Sequence, residues 1–484
     1  MSSRVQSISN PKLKLQILSD EDIRSIHEAT LRIIEQVGVK FPSPRALQVW
    51  ADAGAEVDFE RMVVKARREL IESALKRCPP AYSLAARDPQ QDLPLDGNHV
   101  YLGTDGCGVE VIDIASGQRR TSRLQDVRDI ARVGDAMEQI AFHWVPVSAQ
   151  DAPAGTRGLH EIKAIWENST KHVQTESIYS VHEARAAIEM AAMIAGGQRA
   201  LRERPVLSLM QCTASPLGHD GGSLEAALLA AEAGLPTGFM TMAACLTTGP
   251  ATLAGNLVVG NAEVIAGTAL LQIAYPGAPV FYAAAQTASD LRTGAYTGGG
   301  PEDFLFGGAT NALSDFYNIP LSMGSFATGA KEPNWQAGIE NGLSTFMASA
   351  SMADMLLGAG FLHGSRIWSY AEMMMDCEIF SIVQKMMQGI VVDQETLALE
   401  AIAAVGSSGN FLTQKHTRRH MREIFTSEFM DRRPYTEWEA KKDGAEDWAL
   451  SKARRILAEH RPVPIEGKLS DEFDRIIGSV QVMA

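Results

Sequence analysis

From about residue 139 the chain alternates short apolar runs with longer stretches of helical periodicity. Eight runs stand out: IAFHWVPV from Ile140, HVQTES from His172, PVLSLMQC from Pro205, PTGFMTMA from Pro236, APVFYAA from Ala278, IPLSMGSF from Ile319, DMLLGAGF from Asp354 and GNFLTQ from Gly409. Between them, helical patterns cover 158–167, 181–194, 224–233, 302–317 and 335–353. Strands alternating with helices imply parallel βαβ units, since a parallel neighbour needs a crossover that carries the chain back. Eight units close into a barrel of about 250–300 residues. The alternative is an open doubly wound sheet, which needs a topological switch point and often carries GxGxxG after its first strand. Here the glycine clusters GTDGCG and TGGGP have the wrong spacing and join no strand to a helix. The pattern therefore predicts an α/β fold, a (β/α)8 TIM barrel over residues 136–430.

The first 135 residues follow another rhythm. Ser19 precedes a helical pattern through Ile23, Ile26, Thr30, Ile33, Ile34 and Val37 that stops at Gly38, with Asp22 placed for a capping box. A short helix over 70–75 ends before Pro79-Pro80. Residues 99–102 and 109–112 alternate across GTDGCG and predict a hairpin. Ser122 and Gln125 open a helix with Leu124, Val127, Ile130 and Ala131 on one face. Residues 1–135 thus form an N-terminal mixed α/β appendage, and the charged stretch 431–484 a C-terminal helical extension.

Composition narrows the functional classes. The 484 residues are 45% hydrophobic and 21% charged, an ordinary globular balance that supports a large core. A formal charge of −14 argues against nucleic acid, whose phosphates require clustered Lys and Arg. Cys78, Cys107, Cys212, Cys245 and Cys377 are odd in number and never form a CxxC pair, which suits reduced thiols in a cytoplasm. From the polar start MSSRVQSISN no signal peptide is expected. The most apolar stretch, 251–274, is interrupted by Asn256, Asn261 and Glu263, so it reads as a buried helix and no membrane is expected.

In a barrel the active site is built where the strands end, which singles out Trp144, Glu176, Gln211, Ala244, Tyr282, Phe326, His363 and His416. Cys212, Cys245 and His363 approach the same mouth, yet their separations carry no ligand-spacing signature, so no metal is expected. Neither a GxSxG elbow nor a P-loop occurs.

Several stretches resemble the trimethylamine methyltransferase family, in the branch without pyrrolysine that includes glycine betaine:corrinoid methyltransferases. In YLGTDGCGVEVIDIASGQRR, Asp113, Gly117 and Arg120 are in step with the family's N-terminal hairpin. RPVLSLMQCTASPL resembles its third strand and Ser-Pro-Leu loop, and GPATLAGNLVVGNAEVIAGTALLQIAYPGAPVFY its most recognisable segment, at Thr252, Ala254, Gly255, Ala262, Glu263, Gly277 and Pro279. DLRTGAYTGGGPE keeps Asp290, Arg292, Gly294 and Pro301-Glu302; KEPNWQAGIE keeps Lys331, Pro333, Gln336 and Gly338; VGSSGNFLTQKHTRRHMREIF is the last similar stretch. Two departures matter. The loop TGAKEPNW, where the resemblance places pyrrolysine after the sixth strand, has ordinary residues, and Asn410 stands where the family often shows His.

The resemblance implies a methyltransferase of one-carbon metabolism that moves a methyl group from a small quaternary amine, glycine betaine favoured, to Co(I). The protein would bind no cofactor directly; the corrinoid (cobalamin) would come on a corrinoid-binding partner protein. The scattered thiols suit a cytoplasmic enzyme, and the long C-terminal region makes a homo-oligomer the expected state. A tertiary amine leaves poorly as an amide anion, whereas a quaternary nitrogen leaves as a neutral amine and needs no general acid. An aromatic cage suits such a cation, each contact being worth roughly 0.5–2 kcal/mol. Tyr282, Phe326, Tyr101 and Trp335 are the cage candidates, with His416 and Gln211 as further substrate contacts. His363 and Gln336 are the catalytic candidates, since imidazole and amide N–H groups can donate to a betaine carboxylate. The alternatives are a sulfonium, carnitine or proline betaine donor, or a non-catalytic quaternary-amine binding protein.

Overall fold

The computed structural model describes residues 5–106, 108–296 and 298–483, with residues 482 and 483 described by backbone alone; Cys107 of the cysteine set lies outside them. Eight parallel strands close on themselves: β1 (His99–Thr104), β2 (Ile140–Trp144), β3 (His172–Thr175), β4 (Leu207–Cys212), β5 (Thr237–Thr241), β6 (Val280–Ala284), β7 (Leu321–Gly324) and β8 (Met355–Ala359). Each pairs with the next, and β8 returns to β1 with Met355 opposite Tyr101. This closure is the (β/α)8 barrel and excludes the open sheet. A short strand, Ile8–Ser9, adds to β1 antiparallel.

Two of the expected strands change. The first barrel strand is His99–Thr104, inside the stretch expected as an appendage, and it does not form a hairpin with 109–112. Instead Glu110–Ile112 and Arg119–Thr121 pair with each other, and Glu110–Ile112 lies beside Ile367–Trp368 from the loop after β8. This inserted ladder separates β1 from its helix Leu124–Ala136 and hides the βα rhythm. Conversely, GNFLTQ forms no strand, and its Leu412 is 82% exposed. The barrel's last helix is Tyr370–Met387, so the helical C-terminal part follows from about residue 388, not 431. The loop TGAKEPNW accordingly follows the seventh strand, not the sixth.

Local signals act as read at the first helix, Asp20–Gln36. Ser19 Oγ accepts from the Asp22 N–H at 3.2 Å and Asp22 Oδ2 accepts from the Ser19 N–H at 3.0 Å, so two end groups of the helix are satisfied reciprocally. The helix Leu253–Ala274 is the one described helix long and apolar enough to cross a membrane, and 78% of its most apolar window is buried in protein. Its polar residues stitch it to the barrel. Asn261 donates to Thr30 Oγ1 (2.9 Å) and to the Tyr317 hydroxyl (2.8 Å). The Glu263 carboxylate accepts from Thr213, Ser215, Thr241 and the Leu217 N–H at 2.5–2.9 Å, which shapes the loop after β4.

The N-terminal end of the barrel is plugged by an antiparallel pair, Tyr82–Leu84 with Leu93–Leu95. Leu84, Leu93 and Leu95 pack with Tyr101, Phe142, Phe281 and Met355 inside the strands. The C-terminal end is left as the open one.

Candidate functional site

Strand parity decides which side chains reach the open end, because successive residues point alternately into the barrel and out to the helices. Trp144, Met210, Met240 and Leu357 belong to the interior cluster. Above them lies a cavity of about 530 Å3 whose walls include Asp105, Trp144, Cys212, Tyr296, Lys331 and His363. Its size falls in the range usual for small-molecule sites.

Asp105 follows β1 directly and is buried. Burial pushes its carboxyl up to about 6, against the opposing hydrogen bonds from Ser365 and from the Gly106 N–H at 2.9 Å. At neutral pH it is an anion facing a poorly solvated space, which attracts a cation. Trp144 forms the adjoining wall. The Gly106 backbone lies so close to the indole that a Cβ there would come within 2.5 Å of the ring. Tyr296 completes the aromatic surface, its hydroxyl donating to the Ala285 carbonyl at 3.2 Å.

The rim is basic. Lys331, His363 and Arg366 come from the loops after β7 and β8. Burial, then the nearby charges of Lys331 and Arg366, lower the pKa of His363, so its neutral imidazole is favoured at pH 7. The two loops are tied together: the His363 N–H donates to the Ala330 carbonyl (2.7 Å) and the Gly364 N–H to the Thr328 carbonyl (2.8 Å). His363 and Ser365 adopt φ of +58° and +60°, left-handed values that cost a non-glycine residue about a kcal/mol or more and recur at ligand-binding loops.

The expected site residues divide sharply. His363 lines the cavity. Gln336 does not: its amide donates to Glu340 Oε1 at 2.9 Å, while Glu340 Oε2 accepts from Thr328 Oγ1 (2.5 Å) and the Gly329 N–H (2.9 Å). It therefore positions the loop that carries Lys331. Tyr282 points outward from β6, its hydroxyl donating to Asn261 at 3.2 Å, because Phe281 and Ala283 hold the inward parity. Gln211 is likewise outward on β4, its amide 3.4 Å from the Ile178 carbonyl. Phe326 is fully buried behind Gly358, outside the cavity wall. Tyr101 is inside the barrel at its closed end, stacked on His99. Trp335 is 82% exposed at a helix start, and His416 sits on the C-terminal segment against the Glu395 carbonyl. The rings that line this cavity are thus Trp144 and Tyr296, and not the four named as cage candidates. Of the cysteines and histidine weighed for zinc, Cys212 and His363 reach the cavity and Cys245 does not. Burial, with Glu176 and Asp105 nearby, pushes the Cys212 thiol up and keeps it protonated.

Asp105 was legible in GTDGCG as the residue after an apolar run, once 99–104 is read as a barrel strand. Tyr296, Lys331 and Arg366 lie on long loops without periodicity, which pattern alone does not orient.

Residues 1–479 match the profile of the family described as Trimethylamine methyltransferase (MTTB). The chain is 34% identical over 462 residues to trimethylamine methyltransferase MttB of Desulfitobacterium hafniense (strain DSM 10664 / DCB-2), covering 95% of this chain and 92% of that one. It is 32% identical over 467 residues to the glycine betaine methyltransferase of Desulfitobacterium hafniense (strain Y51), covering 96% and 97%. Among solved structures, the Methanosarcina barkeri monomethylamine methyltransferase (MtmB) aligns over 94% of this chain and 96% of its own, with a TM-score of 0.53 at 11% identity, a likeness of fold.

Proposed function

The chain belongs to the trimethylamine methyltransferase family and is a methyltransferase, and from that premise we propose that it demethylates a small quaternary amine, glycine betaine foremost, with a corrinoid carried by a partner protein as acceptor. The observation that carries this reading is one cavity in which a buried carboxylate, Asp105, adjoins the Trp144 and Tyr296 rings beneath a basic rim. A quaternary nitrogen offers no N–H to a hydrogen-bond acceptor. It is held by ring faces and by charge, and both are strengthened where water is excluded. The carboxylate of a betaine has its complement in Lys331, Arg366 and the His363 imidazole. The relative named glycine betaine methyltransferase agrees with such a zwitterion, as does the ordinary sequence of the TGAKEPNW loop.

The chemistry asks little of the protein beyond placement. The acceptor's Co(I) supplies the electron pair for the new carbon bond, the C–N pair returns to nitrogen, and the leaving amine is neutral. No proton moves, so the reaction asks no general acid of the cavity. Alignment of donor and acceptor is worth up to about 7–11 kcal/mol. A broad, flat ring finds an apolar border at the open end, where Met242, Leu246, Leu291 and Tyr296 are exposed.

The test combines the full-length enzyme with cob(I)alamin and glycine betaine, following the visible spectrum and dimethylglycine by mass spectrometry. Equimolar loss of Co(I) and gain of dimethylglycine is the expected result. Tight betaine binding without either change supports a sequestering protein instead, and turnover only with carnitine, proline betaine or a sulfonium moves the donor class.

A further inference from the structure

His416, placed by sequence at the substrate, lies in a different cluster, together with His420 and Glu395. The two histidines sit four residues apart on the helix Lys415–His420, so both imidazoles leave the same face, with ring centroids 4.4 Å apart. Glu395 comes from a separate turn, in which the Thr396 N–H donates to Asp393 Oδ1 at 2.8 Å. One ligand atom from each residue lies within 4.8 Å of the others. Tetrahedral zinc with nitrogen and oxygen bonds near 2.0–2.1 Å asks for about 3.4 Å between ligand atoms, a gap that side-chain rotation closes. His420 also carries the orientation that metal-bound imidazoles use. Its Nε2 is 3.2 Å from Glu395 Oε1, while Nδ1 is 2.7 Å from Glu423 Oε1, so a carboxylate behind the ring fixes the tautomer that presents Nε2.

We infer that Glu395, His416 and His420 form a site for a divalent transition metal, zinc being the best fit to two imidazoles and one carboxylate, with Glu423 as the orienting partner. None of the four lines the barrel cavity. The competing cation is Arg419, which now pairs with Glu395. The guanidinium sits on Oε1, the oxygen that also faces His420 Nε2, so a metal bound there displaces it and the two cations compete directly. The site's role follows from its surroundings. Neither the helix Leu399–Val405 nor the helix Lys415–His420 buries a residue, and Ile390, Val392, Leu412 and Ile424 are exposed. No apolar packing fixes this segment, and a metal clip between 395 and 420 supplies a tie that packing does not.

The experiment uses the full-length protein, stripped with a chelator and dialysed against Zn2+, with bound metal counted by atomic emission and trypsin cleavage followed at Lys415, Arg418, Arg419 and Arg422. One zinc per chain, slower cleavage at these sites with zinc, and at least tenfold weaker binding in His416→Ala and His420→Ala are expected. Glu423→Gln weakens binding about tenfold without abolishing it, and Arg419→Ala tightens it. Zinc binding that survives the double histidine variant, zinc lost on Cys212→Ser instead, absence of zinc above background, or cleavage indifferent to zinc each overturns the proposal.

Discussion

At the N-terminal end of the barrel the buried Lys171 ammonium donates to the Gly134 and Met137 carbonyls at 2.7 Å and to the Ile140 carbonyl at 2.5 Å, closing off the end of the helix Leu124–Ala136. There, too, Asp354 accepts from the Gly97 and Leu321 N–H groups at 3.0 and 2.9 Å, and His172 is held between the Ala85 carbonyl and the Ser208 hydroxyl. The C-terminal end is organised otherwise. The Trp144 indole N–H is buried with no hydrogen-bond partner, Asp105 is an anion in a dry place, and the loop after β8 holds two side chains at left-handed φ. One end turns these polar groups on one another and holds the barrel shut; the other leaves the Trp144 N–H without a partner and turns Asp105 toward a cavity that a ligand can fill. The difference teaches which end substitutions should hurt folding and which should hurt binding.

Lys171→Met is the most severe way to break this contrast. It strands three buried carbonyls and should lower stability by about 3–5 kcal/mol, read by chemical denaturation, with substrate affinity unchanged in the folded fraction. Asp105→Asn should do the reverse. A carboxyl titrating at about 6 in the fold and near 3.9 unfolded binds its proton more tightly when folded, so the charged form destabilises the protein. That loss sets in as pH rises through the unfolded value and is complete above about 6, amounting to about 3 kcal/mol. The Asn variant should therefore be more stable at neutral pH by up to that amount while betaine affinity falls tenfold or more. In the unsubstituted enzyme the same carboxylate makes betaine affinity weaken as pH drops below about 6, measurable by calorimetry across pH 5–8.

Trp144→Leu sharpens the comparison at the next level. Losing one cation–π wall of about 2 kcal/mol should raise KM for betaine roughly thirtyfold, with a smaller change for a neutral tertiary amine analogue. His363→Ala should raise KM severalfold by removing one donor at the rim; turnover and affinity both unchanged would take His363 out of the site. Tyr282→Phe gives the smallest effect, a stability loss of about 1 kcal/mol from the Asn261 hydrogen bond, and no change in KM. A large KM effect there would restore the outward-facing ring to the site and undo the parity argument.

Much of the frame was legible in the order of residues. Seven of the eight apolar runs became barrel strands, the Ser19 cap sits where its pattern places it, and the polar interruptions of 251–274 announced a helix buried in protein, not lipid. Local chemistry governs all of these: periodicity, capping and burial are properties of short segments. Register around the closed barrel is a property of the whole. Which of two adjacent side chains faces inward, Phe281 or Tyr282, Met210 or Gln211, depends on how each strand is set against both neighbours, and a shift of one residue exchanges the two faces. The inserted ladder after β1, the pairing of the loops after β7 and β8, and the meeting of Glu395 with His416 and His420 join residues remote in sequence or across irregular turns. No periodic signal orients such contacts, so tertiary structure alone decided that Trp144 lines the cavity while the other strand-end rings, Tyr282 and Phe326, do not, and that Tyr296 joins it from a distant loop.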